Sequence, residues 1–133
     1  MLRDLPMTFE LTLLAWTLVL ALVQVFLPAM ARNRETGLRY NTGPRDDPGP
    51  EPGVLTGRLR RAQANLFETL PLFAIAILIA HVAGRNGPLT HWGAVLYLSA
   101  RVLFVPLYAW WRSLAWGVSL VGLLMVLAAL LLN

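Results

Sequence analysis

Residues 11–31 read LTLLAWTLVLALVQVFLPAMA, a run of 21 without a single charge. At 1.5 Å per residue a helix of that length reaches about 31 Å, enough to cross a hydrocarbon core of about 30 Å. Ala29-Met30-Ala31 has the small-x-small look of a signal-peptide cleavage site. The run nevertheless exceeds the roughly 7–15 apolar residues of a signal peptide, and Asp4 and Glu10 precede it beside Arg3. The stretch therefore reads as a first transmembrane helix over 9–31.

Three further apolar stretches lie outward from it. The second, 62–83, is interrupted by Asn65 and Glu68, the third, 89–111, by Arg101, and the fourth, 113–132, has no charge. Gly84 to Pro88 is a tight turn of the kind that joins antiparallel helices. The connection at Arg112 is very short, and Trp110, Trp111 and Trp116 flank it as an interfacial aromatic belt would. The expectation is an all-α membrane protein, a four-transmembrane-helix bundle forming one domain over 1–133. Composition agrees: 57% of residues are hydrophobic and 14% charged, against about 45–50% and 25% in soluble domains. That balance excludes a soluble globular domain and equally a disordered chain.

Other classes fall away for chemical reasons. With no cysteine there is no disulfide framework, thiolate metal site or cysteine nucleophile. No phosphate-binding glycine loop, His-rich metal motif or nucleophile elbow occurs, so no metal is expected; His81 and His91 read as interface residues. All the basic side chains are arginine, but the aromatics sit in apolar runs and not among the charges, which argues against nucleic acid. The arginine bias and the lack of a targeting segment point to a bacterial inner membrane.

The long connection 32–61 carries Arg32, Arg34, Arg39, Arg45, Arg58, Arg60 and Arg61 against Glu35, Asp46, Asp47 and Glu51. By the positive-inside rule it is cytoplasmic, as is the short connection at Arg112, with both termini on the other side. Polar groups at membrane depth are costly and mark function by default. Arg61, Asn65 and Glu68, spaced i, i+4, i+7, fall within about 60° of one helix face. Glu68 lies about 10 Å deeper than Arg61. Arg101 and Tyr108, seven residues apart, share a face of the third helix at overlapping depths, about 16 and 6 Å in from Arg112. Glu68 is the natural partner for Arg101. Two readings stand: an Arg–Glu–Asn network that fixes helix register, or a pocket for an anionic, hydrogen-bonding ligand, since guanidinium groups suit carboxylates.

The run Arg61-Ala62-Gln63-Ala64-Asn65-Leu66-Phe67-Glu68-Thr69-Leu70-Pro71-Leu72-Phe73 resembles the signature of the MAPEG family, the membrane-associated proteins in eicosanoid and glutathione metabolism. Ala100 to Tyr108 resembles the Arg…Tyr segment of that family's third helix, and Ala31-Arg32-Asn33-Arg34 the arginines closing its first. The resemblance implies a homotrimer of four-helix protomers binding glutathione between adjacent protomers. It implies that Arg61, Asn65, Glu68, Arg101 and Tyr108 bind glutathione, joined by Arg32 from a neighbour. It further implies that Arg112 stabilises the glutathione thiolate in catalysis on a lipophilic electrophile or peroxide delivered by membrane lipid. The chain departs from the family in a short stretch from Tyr108 to Arg112, in Phe104 and in Thr69, the last two standing where some members have tyrosine. The alternative is a non-catalytic MAPEG-like membrane protein that binds a lipid or an anionic small molecule.

Overall fold

The computed structural model describes residues 6–106 and 112–132, the side chain of Arg112 excepted. Four long helices and one short one follow in order: α1 (Phe9–Thr36), α2 (Leu38–Thr42), α3 (Val54–Val82), α4 (Pro88–Phe104) and α5 (Arg112–Leu131). α1, α3 and α5 are each long and apolar enough to cross a membrane. α4, with 17 residues, is shorter.

The helices begin and end for local reasons. Thr8 caps α1, its hydroxyl accepting from the Leu11 amide at 3.3 Å. α1 then runs 28 residues, well past the charge-free stretch, and stops at Gly37, whose φ of 84° suits a residue without a side chain. α3 starts at Val54, directly after the prolines at 48, 50 and 52, so arginines 58, 60 and 61 are helical. The connection is thus shorter than the 32–61 that charge delimits. Arginine and glutamate are good helix formers, and hydropathy marks where a helix leaves lipid, not where it ends. Gly84, at φ 66°, closes α3 while the Arg85 amide donates to the Ala80 carbonyl at 2.8 Å. Pro88 opens α4, where its missing N–H costs nothing, and the Gly87 amide donates to the Thr90 hydroxyl at 2.8 Å. α4 stops at Phe104, two residues short of Pro106. The third stretch's expected end at 111, with Tyr108, lies outside the described residues.

Packing pairs α4 with α5 and α1 with α3, and contacts of α1 with α4 and α3 with α5 join the pairs. α4 and α5 meet backbone to backbone. A Cβ on Gly122 would lie 2.5 Å from the Gly93 carbonyl oxygen and 2.6 Å from the Tyr97 amide nitrogen. Small residues let membrane helices approach this closely. The main core combines Phe73, Ile77, Ala94, Tyr97 and Val126, with Phe73 and Tyr97 stacked at 4.0 Å.

The polarity of α1 is inverted relative to a soluble helix. Its buried stripe is Glu10, Leu14, Thr17, Ala21, Gln24, Pro28 and Arg32, while Trp16, Leu18, Leu22, Phe26 and Met30 are exposed. α3 likewise exposes Leu72, Ile75 and Ile79. Exposed apolar surface on this scale needs lipid or another chain against it.

At the end away from the long connection, the buried Glu10 accepts from the Thr90 hydroxyl at 2.8 Å. His91 stacks on Phe9 at 4.2 Å, and Arg85 donates to the Leu130 carbonyl in the last turn of α5 at 2.6 Å. At the other end Glu35 is the clasp between α1 and α3. It accepts from Arg32 at 2.9 Å, from the Gly53 amide at 3.0 Å and from the Thr56 hydroxyl at 2.8 Å. Glu35→Ala should free the start of α3, seen as faster proteolytic cutting between 43 and 53 with helix content by circular dichroism unchanged. Unaltered cutting would show that the prolines alone hold the segment.

Candidate functional site

The centre of the site is Arg101 on α4. It is fully buried and its Nη1 donates to the Asn65 Oδ1 at 2.7 Å. Arginine has no acceptor, so the Asn65 oxygen must face it, and the Asn65 amide nitrogen points elsewhere. The guanidinium also sits 4.6 Å from the centroid of the Phe104 ring, a cation–π distance. Its Nε and Nη2 have no hydrogen-bond partner among the described residues. A buried cation with two unspent donors is a costly arrangement that persists for a reason other than stability.

Arg101 does not pair with Glu68, the partner that sequence alone suggests. Both occupy overlapping depths, but Glu68 is exposed at the surface of the chain and makes no hydrogen bond or ion pair among the described residues. The reason is rotational. Asn65 lies at the edge of the α3 face that meets α4, whereas Glu68 lies further round. Arg61 is exposed on the same side as Glu68, and its guanidinium folds back over Gly57, where no side chain obstructs it. The stripe of Arg61, Asn65 and Glu68 is therefore turned outward, with only Asn65 reaching into the bundle.

Arg32 is buried at the loop end of α1. Its Nη1 donates to Glu35 and its Nη2 to the Pro50 carbonyl at 2.5 Å. Tyr108 lies outside the described residues, and Arg112 is placed only as the first residue of α5.

Two positions where some members have tyrosine serve other purposes here. Thr69 shares a 2.8 Å hydrogen bond with the Tyr97 hydroxyl, deep in the core. Phe104 is the platform under Arg101. Gln24 escaped sequence reasoning. It is buried on α1 with both amide atoms unpartnered among the described residues, and its only signal was an amide in the middle of a charge-free run.

Fold and site together define an integral membrane helical bundle with a buried guanidinium and a charged outer stripe at the depth of its spans. The family model of MAPEG matches residues 13–132, nearly the whole chain, and the chain belongs to the MAPEG family. No curated protein and no solved structure matches it.

Proposed function

We propose that the protein is a membrane glutathione transferase or peroxidase acting on a lipophilic electrophile or peroxide, built as a homotrimer of four-span protomers. The observation that carries this reading is the pairing of an outward Arg61–Asn65–Glu68 stripe with Arg101 behind it. Charges at membrane depth cannot face lipid alone, so a second copy of the chain covers the stripe. That leaves a polar seam between protomers, open toward the arginine-rich connection, which the positive-inside rule makes cytoplasmic.

Glutathione fits the seam chemically: two carboxylates, an ammonium group and amides. In this reading Arg61 and the neighbour's Arg32 hold carboxylates and Glu68 holds the ammonium group. Arg101 fixes the Asn65 oxygen inward, so the Asn65 NH2 group is presented to a ligand carbonyl. Glutathione supplies the nucleophilic sulfur, which accords with a chain that has no cysteine. Arg112 favours the charged form of that sulfur and so lowers its pKa. The remaining work is positioning.

Glutathione titrated into detergent-purified protein should raise ultraviolet thiolate absorbance, and Arg112→Ala should abolish the rise while binding persists. No thiolate signal at saturating glutathione would overturn the catalytic reading. A second reading, a non-catalytic relative that binds a lipid or an anionic small molecule, is favoured by the short stretch from Tyr108 to Arg112. Turnover of a chloronitrobenzene that is lost in Glu68→Gln counts against it.

A further inference from the structure

Most buried polar groups of the bundle are satisfied close at hand. The Thr17 hydroxyl donates to the Leu13 carbonyl at 2.8 Å and the Ser119 hydroxyl to the Trp116 carbonyl at 2.7 Å. Glu10 is met by Thr90, and Thr69 by Tyr97. Among the described residues two side chains end in buried atoms without a partner, Gln24 at Nε2 and Oε1 and Arg101 at Nε and Nη2. Buried groups of this kind are rare and demand a reason. The two are complementary: arginine offers only donors, and the glutamine amide carries an acceptor.

Two independent anchors put these side chains in one layer. At the far end the Glu10 carboxylate accepts from Thr90 at 2.8 Å, which aligns α1 with α4, and both helices run from there toward the long connection. Gln24 follows Glu10 by 14 residues and Arg101 follows Thr90 by 11, about 21 and 16 Å of rise, a difference of less than one turn. At the other end Thr56 donates to Glu35 at 2.8 Å, which aligns α1 with α3. Gln24 lies 11 residues in from Glu35 and Asn65 nine in from Thr56, about 16 and 14 Å. Rotation agrees with depth. The buried stripe of α1 that holds Gln24 groups Leu14 with Phe73 and Tyr97, and Ala21 with Leu66 and Leu70, so it faces α3 and α4. Packed helices lie about 8–10 Å apart, a span that arginine and glutamine side chains cover between them.

Asn65 takes the Arg101 Nη1, which leaves Nε and Nη2, the two nitrogens of one edge of the guanidinium fork. One hydrogen bond and the Phe104 ring leave the group able to pivot about Asn65. An acceptor on the opposite edge fixes its plane.

We infer that Gln24 is a positioning residue for Arg101, its amide oxygen the acceptor for the edge that Asn65 leaves free. The side-chain torsions between the helix and the amide let the oxygen turn to that edge. Gln24 is itself buried, so it acts through Arg101 and Asn65. With both edges held, the Asn65 oxygen stays inward and its NH2 group outward. The consequence for ligand binding rests on the glutathione reading; the pairing of Gln24 with Arg101 does not.

The test compares thermal midpoints of detergent-purified protein in two backgrounds, the parent and Arg101→Leu. Gln24→Met keeps the size of the side chain and removes the amide. It should lower the midpoint of the parent, and hold or raise that of Arg101→Leu, where no donor awaits the oxygen. Gln24→Glu keeps an acceptor and sets a carboxylate opposite the guanidinium. It should hold or raise the midpoint of the parent and lower that of Arg101→Leu, because the carboxylate is then buried alone. A packing role alone gives equal shifts in both backgrounds, and equal shifts would overturn the proposal. Glutathione affinity is the second readout. Gln24→Met should weaken it about 10-fold, the low end for a hydrogen bond to a charged group, and add nothing to the loss in Arg101→Leu. Gln24→Glu should keep it near the parent's. Unchanged affinity in Gln24→Met would overturn the positioning role. A parent that binds no glutathione would overturn the function proposed above, and the midpoints would still decide the pairing.

Discussion

Gly122→Leu should leave no monodisperse folded protein in detergent, because α4 and α5 touch through their backbones at that point. A Cβ at residue 122 would stand 2.5 Å from the Gly93 oxygen and 2.6 Å from the Tyr97 nitrogen, and backbone atoms cannot swing aside as a side chain can. Even Gly122→Ala should cost about 1–3 kcal/mol through forced separation of the helices. That outweighs the roughly 1 kcal/mol alanine gains over glycine in a helix. Gly93→Ala meets the Gly122 oxygen at 2.7 Å and should behave alike. Gly117, on the same helix with nothing within 4 Å of its added Cβ, is the control. Gly117→Ala should hold the thermal midpoint or raise it. A Gly122→Ala protein as stable as the parent would show that α4 and α5 are not in backbone contact.

Arg101→Leu should separate stability from binding. Among the described residues Arg101 makes a single hydrogen bond and leaves two donors unspent, and it is fully buried, so its desolvation is poorly offset. Replacing such a charge with an apolar side chain is often neutral or stabilising. The thermal midpoint of Arg101→Leu should therefore hold or rise. Glutathione affinity should nevertheless fall by about 10- to 150-fold, the value of one hydrogen bond to a charged group, because nothing then holds the Asn65 oxygen inward. Arg101→Lys keeps a donor within reach and should restore part of the affinity. If Arg101→Leu loses stability and affinity together, the residue is structural, and the network reading of the polar stripe is the correct one.

The legible part of this protein is the part written in local chemistry. Four apolar stretches are visible without a partner, because transfer into lipid depends on each segment's own composition. The sharing of one α3 face by Arg61, Asn65 and Glu68 is also local, a consequence of helical period. The ends of α1 and α3 were less legible. Gly37 and the prolines at 48, 50 and 52 set them, and hydropathy does not register such signals. Arg101 shows the limit most clearly. Depth made Glu68 a reasonable partner, but depth says nothing about the rotation of α3 against α4, and that rotation selects Asn65.

Read alone, the chain of residues establishes a membrane-embedded helical protein of the MAPEG family with its few charges gathered toward one end. Hydrophobicity, helical period and a short motif suffice for that, since each acts within a segment. The tertiary structure decides which polar groups meet across the helices: Arg101 with Asn65, Glu35 with Thr56 and the Gly53 amide, and Thr69 with Tyr97. Each of these depends on how one helix or loop is rotated and seated against another. Backbone contacts such as Gly93 on Gly122 set that relation, and they leave no mark in the composition of either segment.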